Sequence, residues 1–443
     1  MSLLLISLSV CEFALVAGFA VRKLKLIQAA PSLVWFALMT LPFIYQFQFF
    51  PTSPRMSQSI GLLIISTALA LGDWFSIKTD KSDGIQDKTP SSHSRIIHLL
   101  TFLVIFIPAF HYWVAGTIPI LDQYFGGVTP NQVSQDREDF VKLLDVPYLL
   151  KVLFHWVSVI FGPICVLWFY LMKRKLVAAL ILVWIVFYTL SSSADGPIVI
   201  FCWALVFAAG FAMSNRLNIN NYLAVGISSA LLFVIASGIW LGETAVSRES
   251  ECGVVATQGF TPGDVMRSCS AENEIILNPI VNRLGYRVFL TPVEVSNHWY
   301  DYFDGSPSEK RKLLDVFERE NSKQASNKVG VWAYTDRFPA HYGKSISANG
   351  SIDADAFSLG GNFFVLMVAF ILFFIRIFVT FPIPGDSRLV RILQGIGLGQ
   401  LAFLPNSAPM QAILLPQGLG LILFLLLVLR GKGLWTAFKS KIS

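Results

Sequence analysis

The chain has 443 residues, of which 54% are hydrophobic and only 14% charged, with 37 Phe, 11 Trp and a mean hydropathy of +0.60. A soluble globular chain carries about a quarter charged residues, so this composition excludes a cytosolic enzyme, a disordered scaffold and a nucleic-acid-binding domain. The formal charge of +6 fits Lys and Arg gathered on the cytoplasmic side of a polytopic membrane protein rather than a surface for polyanions.

A helix needs roughly 20 apolar residues to cross the hydrocarbon core. About eleven segments qualify, over residues 3–21, 30–50, 60–77, 96–116, 148–171, 176–190, 197–213, 222–241, 357–381, 389–404 and 413–429. The expected architecture is an all-α polytopic membrane protein. A first bundle of eight spans occupies 1–241, a large loop 242–355, and a second bundle of three spans 356–443. The span at 389–404 carries Gln394, Gly395, Gly397, Gly399 and Gln400, which suits a helix packed inside a bundle. One set of short loops collects basic residues, among them Lys173, Arg174, Lys175, Arg376, Arg388 and Arg391, while the other holds Arg55, Arg137 and Lys142. The positive-inside rule then places the N-terminus and the large loop outside and the C-terminus in the cytoplasm.

Among the five Cys, Cys11, Cys165 and Cys202 lie in apolar runs and read as small buried hydrophobes. Cys252 and Cys269 share the outer loop, and in an oxidising compartment they suggest a disulfide closing 16 intervening residues. No paired His or further Cys accompanies them, so a metal site is not expected there.

A loop this long is a functional element or a small domain. Three helix starts are written in it as a capping residue followed by Pro: Asn278-Pro279, Thr291-Pro292 and Ser306-Pro307. The last two place Glu294 and Glu309 to complete a capping box. In the first helix Arg283 and Arg287 stand four apart on one face, suited to two-point capture of phosphate oxygens; pairing with Glu272 or Glu274 is the alternative. The second helix aligns Glu294, His298 and either Asp301 or Tyr302, and a carboxylate one turn from a His can orient it as a general base. A structural role for a His in this aromatic stretch is the alternative. The third, with Leu313, Leu314 and Phe317 on one side, reads as a surface helix. Within the spans, Lys151 and His155 share a face and His111 lies near an outer end, which makes them functional candidates by location. Asp195 marks a tight outer turn.

The stretch Asn282-Arg283-Leu284-Gly285-Tyr286-Arg287, with Thr291-Pro292 and His298-Trp299-Tyr300-Asp301-Tyr302-Phe303 after it, resembles the extracytoplasmic loop of bacterial oligosaccharide repeat-unit polymerases, the Wzy-type O-antigen and capsule polymerases. Ala348-Asn349-Gly350-Ser351-Ile352, Asp355-Ala356-Phe357 and Leu359-Gly360-Gly361 resemble that family's segment entering the helix after the large loop. Together the two cover about a fifth of the chain. The turn Ser191–Pro197 lacks a basic residue that many relatives carry there.

The resemblance implies a GT-C-like membrane fold in the bacterial cytoplasmic membrane and glycosyl transfer between two undecaprenyl-diphosphate-linked glycans. It implies no cofactor and no metal. Arg283 and Arg287 would bind the departing diphosphate, His298 oriented by Glu294 would take the acceptor proton, with Asp355 as competing base, and Trp299, Tyr300 and Tyr302 would stack on sugar rings. Membrane lipids, a chain-length-regulating copolymerase and a flippase are the implied partners, and no nucleic acid. An O-antigen ligase and a non-catalytic glycolipid flippase are the alternatives; His341, His155 and Asp122 are the further candidates for the base.

Overall fold

The computed structural model describes residues 30–43, 56–79, 91–126, 146–192, 195–212, 291–305, 319–334, 350–380, 388–406, 413–414 and 417–442, with positions 132, 136 and 139–140 between them. All its regular elements are helical. In chain order they are α1 (Ala30–Trp35), which runs on through a π-turn (Phe36–Thr40); α2 (Met56–Thr79); α3 (Ser91–Ala115); α4 (Pro119–Phe125); α5 (Tyr148–Trp156), continued by a π-turn (Val157–Phe161) into α6 (Gly162–Leu171); and α7 (Lys175–Leu190). Then follow α8 (Asp195–Ala212), α9 (Thr291–Gly305), α10 (Arg319–Tyr334), α11 (Ile352–Gly360), α12 (Asn362–Thr380), α13 (Arg388–Ala402), a 3₁₀ turn (Leu404–Asn406) and α14 (Leu419–Ile442). Among the described residues three helices are long and apolar enough to cross a membrane: Arg95–Ala115, Tyr148–Leu171 and Asn362–Thr380. The expected spans 3–21 and 222–241 and the cysteines Cys11, Cys252 and Cys269 lie outside the described residues.

The chain divides into two compact units, one of Met1–Thr89, Gly210–Ser214 and Tyr286–Ser443, the other of Pro90–Ala209 and Asn215–Gly285. In the first, α2 and α12 pack along each other, and α11 sits against α2, α9 and α12. The stripe that α12 buries is Val365, Val368, Ala369, Leu372, Arg376 and Val379, spaced as one helical face. Its opposite face exposes Phe363, Leu366, Met367, Phe370, Ile371 and Phe374. A helix with large apolar residues on its uncovered face matches a lipid surface rather than water. Nearly all of α13 is buried, and a Cβ added at Gly397 would stand 3.1 Å from Val379 and 3.4 Å from Ile422, so its glycines let α12 and α14 approach closely.

Two boundaries differ from the sequence expectation. The span expected from residue 357 begins instead at Asn362, because Gly361 adopts φ +71°, a conformation that L side chains rarely take, and separates α11 from α12. Arg376, counted in the sequence among loop charges, lies inside α12 and is wholly buried.

The second unit holds α3 to α7 and most of α8, with an aromatic cluster at its centre on α3, α5 and α7. His111 of α3 is stacked between Phe140 and Phe154, with ring centroids 4.2 Å and 4.3 Å away. Its Nε2 lies 3.0 Å from the Phe140 carbonyl, which can only accept, so Nε2 carries the proton. Nδ1 is then left to accept from the Tyr188 hydroxyl at 2.8 Å. Beside it the Tyr112 hydroxyl bonds Ser191 at 2.7 Å. Lys151 and His155 both lie on α5, each half-buried. Cys165 and Cys202 are buried free thiols.

Candidate functional site

Helix α9 starts where Thr291-Pro292 writes it. Pro292 supplies a preset φ at a position whose N–H has no helical partner, and Glu294 places a negative charge on the first turn. From there Val293, Ser296, Tyr300 and Phe303 form a buried stripe, while Glu294, Asn297, His298, Asp301 and Tyr302 are half-buried around it. Glu294 and His298 thus share the less buried side of the helix. The His298 ring stands edge-on to Trp332 of α10 at 6.1 Å, and Tyr302 lies 5.8 Å from the same indole, which is 51% exposed.

The buried stripe of α9 faces α11, so two segments distant in sequence become one junction. The Tyr300 hydroxyl donates to Asp353 Oδ2 at 3.1 Å, and the Tyr300 ring lies 4.4 Å from that of Phe357. Asp353 Oδ1 is bonded to the Ser351 hydroxyl. Ser351 Oγ and Ser296 Oγ are 2.7 Å apart, the Ser351 N–H donates to Ser296 Oγ at 3.2 Å, and Ser296 Oγ donates to the Pro292 carbonyl at 2.7 Å. A Cβ built at Gly350 would stand 3.1 Å from the Trp299 indole, so glycine there lets the backbone lie on the ring. From α2, Gly61 closes against the Tyr300 hydroxyl and Asp353; any side chain at 61 would collide with that hydroxyl.

Ser296, Ser351 and Asp353 are all wholly buried. Burial pushes the Asp353 carboxyl above its ordinary value of 3.8, against the pull of its hydrogen bonds from Ser351, Tyr300 and the backbone. Burial holds the Tyr300 hydroxyl well above its ordinary value, so it stays a donor. On the adjoining helices four buried polar atoms find no hydrogen-bond partner among the described residues: Trp35 Nε1, Thr40 Oγ1, Gln58 Nε2 and Ser59 Oγ. The π-turn that carries Thr40 packs on both α9 and α2, and Gln58 lies on the Gly61 face of α2 one turn before it.

A second buried cluster lies further along α2. Arg376 Nε donates to Asp73 Oδ1 at 2.8 Å and its Nη2 lies 2.6 Å from the same oxygen; Nη1 donates to Thr380 Oγ1 at 2.8 Å. Ser32 bonds the other Asp73 oxygen. Gly72 makes room for the guanidinium stem, since a Cβ there would stand 2.7 Å from Arg376 Cγ.

Of the residues expected from sequence to act, Glu294, His298, Trp299, Tyr300 and Tyr302 come together on α9, and Asp355 lies on the adjoining α11, wholly buried. Trp299 and Tyr300 have their ring faces covered by protein, so of the three expected sugar-stacking rings Tyr302 is the one that reaches the surface. Arg283, Arg287 and His341 lie outside the described residues. Asp122, on α4, is half-buried with one carboxylate oxygen that finds no partner among the described residues, and Asp195 is the first residue of α8. Asp353, Ser351, Ser296, Trp332 and the Asp73–Arg376 pair were not marked in the sequence. Asp73 carried a usable signal, being an acid within an apolar run. Among the described residues no group of three His, Cys, Asp or Glu could hold a metal ion. No protein-family model, no curated protein and no solved structure matches the chain.

Proposed function

We propose that the protein is a membrane-embedded glycosyltransferase that polymerises oligosaccharide repeat units carried on undecaprenyl diphosphate at the outer face of the bacterial cytoplasmic membrane. The observation that carries this reading is the α9–α11 junction. The described parts of the two segments that resemble the polymerase family, α9 and α11, pack directly on each other there, and α1 and α2 beside them bring four buried hydrogen-bonding groups that find no partner among the described residues. Such groups are ordinarily paired, and a glycan, dense in hydroxyl and ether oxygens, is a ligand able to pair them. The apolar outer face of α12 supports residence in lipid.

In this reading the acceptor sugar hydroxyl attacks the anomeric carbon of the growing chain. The new C–O bond forms as the bond to the diphosphate breaks, and undecaprenyl diphosphate leaves with the electron pair. Arg283 and Arg287 neutralise the charge that gathers on it. The hydroxyl proton passes to His298, which is half-buried beside Glu294 and faces away from the packed junction. Tyr302 and Trp332 offer the ring faces for sugar stacking.

The test is chain growth by the purified protein in lipid nanodiscs on an undecaprenyl-diphosphate-linked repeat unit. A ladder of lengthening products is expected from wild type, and His298→Gln should lower the rate by about 10²-fold or more. Full activity in His298→Gln with none in Asp355→Asn would move the base to Asp355. Transfer of finished glycan to a different lipid acceptor, without growth, would identify a ligase, and lipid movement without bond formation a flippase.

A further inference from the structure

We infer that Asp353 is a neutral carboxylic acid in the folded protein and acts as a positioning residue, its proton completing the hydrogen-bond chain that ties α9 to the entrance of α11. The inference stands on geometry and is independent of the chemistry proposed above. Four oxygen-to-oxygen contacts run in series: Tyr300 to Asp353, Asp353 to Ser351, Ser351 to Ser296, and Ser296 to the Pro292 carbonyl. Each contact needs one hydrogen. The three hydroxyls of Tyr300, Ser351 and Ser296 supply three, and the carbonyl supplies none. With Asp353 ionised, one of the four contacts sets lone pair against lone pair. With Asp353 protonated, every contact is filled in a single direction: Tyr300 donates to Oδ2, the acid O–H at Oδ1 to Ser351, Ser351 to Ser296, and Ser296 to Pro292. Ser296 Oγ then accepts from Ser351 Oγ and from the Ser351 N–H, which its two lone pairs allow.

The surroundings agree. Among the described elements, those packed most closely on α11 are α2, α9, α12 and the 3₁₀ turn. From α9, Tyr300 touches Asp353, while Glu294, His298, Asp301 and Asp304 lie on the less buried side. Asp73 of α2 and Arg376 of α12 are bonded to each other, twelve residues along α2 from Gly61, and Lys78 lies beyond them. Asp355 is the other acid of α11, and the turn has no titratable group. Among the described residues no cation stands against Asp353; its carboxyl has hydrogen bonds from Ser351, Tyr300 and the backbone of Asp353 and Ala354, and burial outweighs them. Ionisation therefore leaves one contact of the chain without a hydrogen and only the Ser351 N–H to hold Ser351 to Ser296, which loosens the register of α9, whose other side carries His298.

Infrared difference spectroscopy of the full chain in lipid nanodiscs at neutral pH tests this. Wild type minus Asp353→Asn should contain the carbonyl stretch of a protonated carboxyl, and wild type minus Glu294→Gln should not. The Asn amide can donate to Ser351 in place of the acid, so Asp353→Asn should melt as wild type does at neutral pH, whereas Asp353→Ala should melt lower. Absence of the band from the Asp353→Asn difference overturns the inference. So does an Asp353→Asn protein that fails to accumulate, because its amide restores the missing hydrogen.

Discussion

Helix α2 meets a buried acid at two places, and the surroundings treat the two acids in opposite ways. At Gly72 the acid is Asp73, and the fold brings a guanidinium from α12 to it, with Ser32 on its second oxygen. At Gly61 the acid is Asp353 of α11, and the described residues bring it hydroxyls and backbone N–H groups and no cation. The first arrangement cancels charge and must hold both partners, because either left alone is an uncompensated charge in a low-dielectric interior. The second avoids charge and depends on one proton. The difference shows why a count of buried carboxylates says little until the hydrogens around each are counted.

The comparison can be broken most forcefully at the ion pair. Arg376→Met leaves Asp73 buried without its partner and should cost about 3–5 kcal/mol, read as a large fall in the melting temperature of the detergent-solubilised protein. Adding Asp73→Asn to that variant should recover part of the loss. Gly61→Ala comes next, at about 1–3 kcal/mol, because the new methyl meets the Tyr300 hydroxyl. Combining it with Tyr300→Phe should relieve the clash, and no relief would place the strain elsewhere. The same Asp→Asn change then sharpens the contrast. At position 353 it should stay within about 1 kcal/mol of wild type, while at 73 it strands Arg376 and costs more.

A further prediction is the dependence on pH. Because the folded state raises the Asp353 carboxyl above its ordinary value of 3.8, the folded protein holds that proton more tightly than the unfolded chain does. The stability so gained is fully present below the ordinary carboxylate range and is lost as pH rises through the folded value. Melting curves across that range should fall with pH in wild type and lose this component in Asp353→Asn. A wild-type slope in the variant would assign it to another group.

The legible parts of this molecule were local. Thr291-Pro292 with Glu294 fixes the start of α9 within four positions, and the glycines and glutamines of α13 announce a helix with neighbours on every side. The candidate site was legible in outline, since the segments holding Glu294, His298 and Asp355 do meet. What stayed hidden depends on partners distant in sequence. Asp353 is separated from Tyr300 by 53 positions and Asp73 from Arg376 by 303, and nothing next to either acid foretells its partner. Helix α10 escaped notice for another reason: Arg319–Tyr334 has no long apolar stripe, so periodicity has little to act on.

Gly61 and Gly72 have a mechanical consequence. They are eleven residues apart on α2, which is about 16 Å along the axis and within about 20° of the same direction around it. One accepts the Tyr300 hydroxyl and the other the stem of Arg376, so α2 is keyed to its neighbours at two points like a two-pin plug. A screw displacement of α2 by one residue would drive Ile60 or Leu62 onto the first pin while Leu71 or Asp73 struck the second. Sliding is thereby blocked in both senses. Any opening of this unit wide enough for a long substrate is then expected to leave α2 locked to α12.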